Sequence, residues 1–465
     1  MRILIILFLF ISFFGKAQYI KLHDFNYANG YLNGTLPETA LTSDGTYLYG
    51  TAQNGNSAQG IIFKILPDGT GFAKIHDFNE ATIGGFLYSG YIYPNSLFYE
   101  GGYLYGMTSR AGNSGGGIVF KIKTDGTGYM KLLDCNLSNG FDPRSSFISD
   151  GTFLYGLMSF GGLNGKGVFF KIKPDGTGYT ILLDFDNTLD SRIPGGSLIS
   201  DGTYFYGMTS YGGVNDSGTV FKVLPDGTSF SKLHDFNLVD GILPLGSLVY
   251  DGTYLYGITE KGAMNGRGSI FKVKTDGSSF TKLLDFSASS GNAHICSLVL
   301  EGNYLYGTTE VGGVNLCGTV FKIKTDGSGF SELLSFNQYT EGCSPWASLI
   351  SDGTYLYGTT RSGGSLPINQ AVGTIFKLGL LTDVEEKIKS NNFFITPNPT
   401  SATLSITSSV DYDGIKIINS IGQTVLIQEN KHEPISVSDL SNGIYFIQLL
   451  DKKGNLLKTE KFIKE

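Results

Sequence analysis

The sequence predicts an all-β chain: a seven-bladed β-propeller closed by its N-terminal strand, followed by a small β-sandwich-like C-terminal domain. Three observations lead there. The phrase "DGTYLYG" at Asp44–Gly50 returns unchanged at Asp251–Gly257 and Asp352–Gly358, with close copies at Asp150–Gly156, Asp201–Gly207 and Glu301–Gly307 and a looser one at Gly101–Gly106. The glycines closing these phrases lie 56, 50, 51, 50, 50 and 51 residues apart. That period belongs to supersecondary units that stack because none buries its faces alone. The two ends of the array carry complementary fragments of one unit.

Each unit reads as four short antiparallel strands, A to D. In Ser197–Phe236, "SLIS" leads into "DGT", then "YFYGMTS", a loop "YGGVNDSG", "TVFKVL", a second turn "PDGT" and "SFSKLHDF". Asp-Gly between alternating apolar stretches is the strongest short hairpin signal, because glycine supplies the positive φ of a tight turn without strain. Two further phrases keep step: "FK" at Phe63, Phe120, Phe170, Phe221, Phe271, Phe321 and Phe376, and "DF" ending at Phe25, Phe78, Phe185, Phe236 and Phe286, with variants at Cys135 and Phe336. A parallel solenoid shares the period but does not need two tight antiparallel hairpins in every coil. "YIKLHDF" (Tyr19–Phe25) is a D strand with no A, B or C before it, and the unit beginning at Ser348 lacks a D. Pairing the leftovers closes the ring and removes free sheet edges.

Composition narrows the function. Charged residues are 16% of the chain, with 65 Gly, 27 Tyr and 33 Phe, as short strands and tight turns require. A net charge of -7 leaves no basic face for nucleic acid. "MRILIILFLFISFFGKAQ" has a charged start, an apolar run and small residues before an expected cut after Ala17. The run is shorter than the roughly 20 residues a spanning helix needs, so residues 1–17 are read as a signal peptide. The four cysteines, Cys135, Cys296, Cys317 and Cys343, form no CxxC pair. Any disulfide is expected to join Cys317 to Cys343 or to Cys296, with Cys343 favoured. No metal or other cofactor is expected, and the protein is read as a monomer.

Most repeated polar residues read as structural. Asp24, Asp77, Asp134, Asp184, Asp235 and Asp285 end D strands and are expected to tie turns; His23, His76 and His234 share a position where other units carry Leu, and read as packing residues. The tyrosines of "YLYG" are expected between blades. Function is sought in what does not repeat, on the face shared by the D–A and B–C loops. There the loop Asn79–Asn95 carries Phe86, Tyr88, Tyr91 and Tyr93, the loop Asn337–Ala347 holds Tyr339, Glu341 and Trp346, and Arg361–Gly373 is long for its place. These fall in blades 7, 1 and 2, neighbours in a closed ring, and suit a glycan or a protein partner. The alternative is a polysaccharide hydrolase or lyase using Asp142, Asp190, Asp240 and Glu341. No HExxH, Gly-x-Ser-x-Gly or phosphate-binding glycine loop is present.

The array, with "LYGTTEVGGVNLCGTVFKIKTDG" (Leu305–Gly327) and its copies, resembles the tandem GloVer repeats of secreted and surface bacterial proteins. Kelch propellers place a Trp in each blade, and this chain has only Trp346. After a polar linker (residues 382–392), residues 393–465 resemble the type A C-terminal sorting domain of type IX secretion substrates. The matching positions are Pro397, Asn398 and Pro399, Gly422, Leu440, Gly443 and Tyr445, and the closing Lys461–Lys464. The resemblance implies that the tail engages the type IX machinery, crosses the outer membrane and is removed, leaving residues 18–381 secreted or on the cell surface.

Overall fold

Asp-Gly turns start the hairpins as their chemistry requires. Asp44 Oδ1 accepts the Thr46 and Tyr47 amides at 2.8 and 2.7 Å, its Oδ2 accepts the Tyr49 hydroxyl at 2.7 Å, and Gly45 sits at φ 90°. The same three bonds recur at Asp150, Asp201, Asp251 and Asp352. Our computed structural model describes residues 17–26, 33–55, 60–79, 96–186, 191–292, 297–364 and 371–380 of the array. In the tail it describes residues 393–396, 398, 400–408, 412–419, 423–428, 435–452 and 456–464.

Every described element is a strand. Six antiparallel sheets follow one another through residues 42–77, 98–134, 141–184, 191–235, 249–285 and 299–335. A seventh holds Ile350–Ser351, Tyr355–Thr360 and Ala371–Gly379, and its fourth strand is Tyr19–Asn26 from the other end of the array. Tyr19 faces Leu378 and Asn26 faces Ala371 in that ladder. The leftover strands do pair. Most A strands are only two or three residues long, shorter than "SLIS" suggests. The amide of the serine that opens them is drawn to the next sheet: Ser197 N donates to Ser247 Oγ, Ser247 N to Ser297 Oγ and Ser297 N to Ser348 Oγ, each at 2.7 Å.

The "DF" and "FK" phrases are the joints between sheets. Each FK phenylalanine packs edge-on against the DF phenylalanine of the preceding sheet: Phe78–Phe120 at 5.3 Å, Phe185–Phe221 at 5.6 Å, Phe236–Phe271 at 5.0 Å, Phe286–Phe321 at 5.6 Å and Phe336–Phe376 at 5.2 Å. Phe25 meets Phe63 in the same way at 5.5 Å, which joins the seventh sheet to the first. Between the second and third sheets Cys135 replaces the ring, fully buried with Phe170, and burial pushes its thiol pKa well up. The glycine of "YLYG" is needed for this packing. A methyl on Gly257 would lie 2.5 Å from the Phe271 ring, and the other six repeats crowd their own FK phenylalanine within 2.4–2.9 Å.

The FK lysine adds a polar tie. It lies over the first YLYG tyrosine of its own sheet, 4.8 Å for Lys272 on Tyr254, and Lys272 also donates to Thr325 O of the next sheet at 3.0 Å. Lys377 reaches Pro67 O in the first sheet at 2.9 Å. The second tyrosine is buried toward the neighbouring sheet, as expected; the first is only half-buried, beneath its lysine.

The chain divides into two compact units between Leu380 and Leu381. The second has a three-stranded sheet (Phe393–Thr396, Thr403–Ser408, Ile435–Ser436) and a four-stranded one (Gly414–Asn419, Thr424–Gln428, Gly443–Leu450, Leu456–Lys464). Leu404 and Ile435 of the first share one apolar core with Ile417, Ile447 and Phe462 of the second.

Candidate functional site

The D-strand aspartates tie loops. Lys282 and Asp285 pair at 2.8 Å along one strand, and the same i, i+3 pair recurs at Asp24, Asp77, Asp134 and Asp235. Asp184 accepts the Leu163 amide at 2.6 Å, and Ser335 takes the equivalent Val314 amide at 2.9 Å where the aspartate is missing. Among the described residues no group of three or more His, Cys, Asp or Glu side chains is disposed to hold a metal ion.

The histidines are stacking residues. His234 lies 3.6 Å from Phe280 at an interplanar angle of 3°, and His23 and His76 stack in the same way on Phe72 and Tyr129. Burial holds all three below the usual imidazole range, His23 at about 4. An imidazole whose folded pKa is lowered binds fewer protons than in the unfolded chain, so stability falls as pH drops from 6.5 toward about 4. Replacing all three by Leu, the residue at this position in other sheets, is expected to flatten the slope of denaturation midpoint against pH in that window. An unchanged slope would assign it to other groups.

The B–C and D–A loops meet on one side of the sheets. Cys317, before a C strand, is disulfide-bonded to Cys343 of the following D–A loop, with Cα atoms 4.5 Å apart, and Cys135 is free. Ser344 N also bonds Cys317 O at 2.9 Å and draws the two loops together. Cys296 lies outside the described residues.

On this face Trp346 is half-buried beneath Arg361, whose guanidinium is 4.0 Å from the ring centroid. Arg361 Nε also reaches Glu38 Oε1, in the loop leading into the first sheet, at 2.5 Å, and Gln53 Nε2 donates to Glu38 Oε2 at 2.7 Å. Burial pushes the Glu38 carboxyl up, against the pull of Arg361 and Gln53. Tyr339 is 53% exposed. Glu341 is bonded by the Thr340 hydroxyl, and its carbonyl accepts the Tyr19 hydroxyl at 2.9 Å, tying this loop to the first strand of the chain. Phe86, Tyr88, Tyr91 and Tyr93 lie outside the described residues, as does Asp190.

The other carboxylates considered for hydrolysis are held locally. Asp142, buried at φ 53°, pairs with Arg144 at 2.8 Å; Asp240 accepts from Asn237 Nδ2 at 2.6 Å and lies 3.2 Å from His234 Nε2. Sequence reasoning missed Glu38 and Arg361. The signal for Glu38 was a charged residue directly after the proline of "LPET", and the signal for Arg361 was its place at the start of the long loop Arg361–Gly373.

In the tail, Asn398 Oδ1 accepts the Ile463 amide at 2.9 Å, Gly443 faces Lys464 across the ladder, and Tyr445 stacks on Phe462 at 5.6 Å. Pro397, Pro399 and Gly422 lie outside the described residues, as does the side chain of Lys461.

Residues 90–263 and 149–326 match the family model of the Gloeobacter/Verrucomicrobia repeat, so the span 90–326 covers 237 of 465 positions. The chain belongs to this repeat family. Residues 395–465 match the secretion system C-terminal sorting domain. No curated protein matches the chain. Among solved structures it is similar to PorZ, described as an essential surface component of the type-IX secretion system of Porphyromonas gingivalis, at 12% identity and a TM-score of 0.42 over 92% of this chain. The chain spans 59% of that protein's length. It is also similar to an oligogalacturonate lyase from Vibrio parahaemolyticus, at 10% identity and a TM-score of 0.49, over 79% of this chain and 98% of the lyase. Likenesses this distant carry no function across.

Proposed function

We propose that this repeat protein is an exported binding protein. Residues 18–381 form a closed seven-bladed propeller, and its loop-rich face holds a glycan or a protein ligand. Residues 1–17 direct passage out of the cytoplasm, and residues 393–465 engage the type IX machinery and are removed, leaving the propeller secreted or on the cell surface. The observation that carries the export half is the match of residues 395–465 to the sorting domain. The binding half is supported by single-copy side chains on the loop-rich face: Tyr339 stands exposed, and Trp346, Arg361 and Glu38 bridge the seventh sheet and the first.

The test is a polysaccharide array and a panel of surface proteins probed with the full chain, beside Tyr339→Ala and Trp346→Ala. Loss of a stacking aromatic is expected to weaken retention about tenfold, as a change of about 1.4 kcal/mol would. Full retention by both variants would move the ligand away from this rim.

A further inference from the structure

A second place on the loop-rich face departs from the repeat, at the junction of the third and fourth sheets. At the corresponding point of two other junctions one finds the Cys317–Cys343 disulfide and the hydrogen bond from Arg267 to Asn292. Here the same two positions carry Lys166 and Arg192, held together by Ile193 N donating to Lys166 O at 3.0 Å. The fourth sheet is also built differently. Its A strand extends over Ser191–Ser200, with a shift of register between Gly195 and Ile199, and pairs Ser191 with Gly212 and Arg192 with Tyr211. That ladder fixes Arg192 opposite Tyr211, with the guanidinium 5.2 Å from the ring centroid.

We propose that this junction is a sugar-binding cleft that takes one hydroxyl-rich ring of an extracellular glycan. The inference rests on reading the loop-rich face as a binding face and gives that face a second subsite. The cleft is open to solvent and lined by Lys166, Ser191, Arg192, Gly212, Val214 and Asp216. Asp216, at φ 52°, accepts the Gly212 amide at 2.9 Å with Oδ1 and the Arg192 guanidinium with Oδ2. Burial works against its ionisation, but Gly212, Arg192 and Lys166 outweigh it and hold the carboxyl below its ordinary range.

An ionised carboxylate only accepts hydrogen bonds, and guanidinium and ammonium groups only donate. A pair of neighbouring sugar hydroxyls does both at once, so it can bridge Asp216 to Arg192 or Lys166. Each carboxylate oxygen keeps a lone pair for this after its present bond. Asp186 and Asp216 offset the two cations on the cleft wall, so the site favours a polyol over a phosphate or a sulfate. Val214, 82% exposed on the cleft wall, offers apolar surface to the C–H face of the sugar. Stability alone does not call for this arrangement, since a solvent-exposed ion pair contributes at most about 1 kcal/mol.

The experiment is affinity electrophoresis of the full chain in gels containing dextran, mannan, xylan, galactan, arabinan or pectin. Arg192→Ala and the isosteric Asp216→Asn are run beside Arg267→Ala, which alters the counterpart of Lys166 at another junction, and thermal melting confirms that each variant folds. Retardation by at least one polysaccharide is expected, weakened tenfold or more in Arg192→Ala and Asp216→Asn and unchanged in Arg267→Ala. If both cleft variants bind like the parent while Tyr339→Ala or Trp346→Ala does not, the cleft proposal fails and the wider reading stands. If no polysaccharide retards the parent, the cleft proposal fails together with the glycan half of that reading, and export is unaffected.

Discussion

A chain that begins at Asn26 is expected to melt about 10 °C or more below one that begins at Gln18, or to lose a cooperative transition altogether. The missing strand carries Leu22 and Phe25, buried with Phe63, Leu48 and Ile375 in the core shared by the seventh and first sheets. Removing a buried Phe side chain alone costs about 3–5 kcal/mol, and each kcal/mol moves the midpoint of a 150–250-residue domain by about 2–4 °C. The truncation also removes the Tyr19–Glu341 bond and leaves the strand Ala371–Gly379 with an open edge. Phe25→Ala in the intact chain should show much of the same loss. Midpoints of the two truncations within a degree or two of each other would mean that the first strand does not close the array.

Deleting residues 381–465 should leave folding alone and stop export. The chain divides into its two compact units between Leu380 and Leu381, and the tail has its own core around Ile417, Ile447 and Phe462. The melting transition of the repeat unit should therefore survive the deletion. In a host with type IX secretion the extracellular fraction should fall at least tenfold, with the protein accumulating in the periplasm. Undiminished release would leave the matched sorting domain without a role in export.

The hairpins were legible because an Asp-Gly turn is local chemistry: Asp44, Gly45 and Tyr49 settle one another within six residues. The leftover strands were legible for a different reason, since a D strand without A, B or C states what it lacks, and Tyr19–Asn26 pairs with Ala371–Gly379 accordingly. The joints between sheets were not. Alternation shows which face of a strand is apolar, but not that Phe120 will meet Phe78 of the sheet before it, or that Gly106 must be bare for Phe120 to fit.

The loop-rich face was legible only as a place. Loop length and aromatic content pointed to Tyr339 and Trp346, but Arg361 and Glu38 stand at opposite ends of the array, and no local pattern joins them. Arg192 and Tyr211 become partners only because one A strand extends along its neighbour. Departure from the repeat was the signal available for each.

The central claim is that residues 393–465 are an address and the repeat unit is the cargo that works outside. Fusing those residues to a periplasmic reporter in a type IX-competent host tests it most directly, with mass spectrometry of whatever leaves the cell. The account predicts reporter at the surface or in the medium with the tail removed. Reporter held in the periplasm, or released with Lys461–Glu465 still attached, would contradict it.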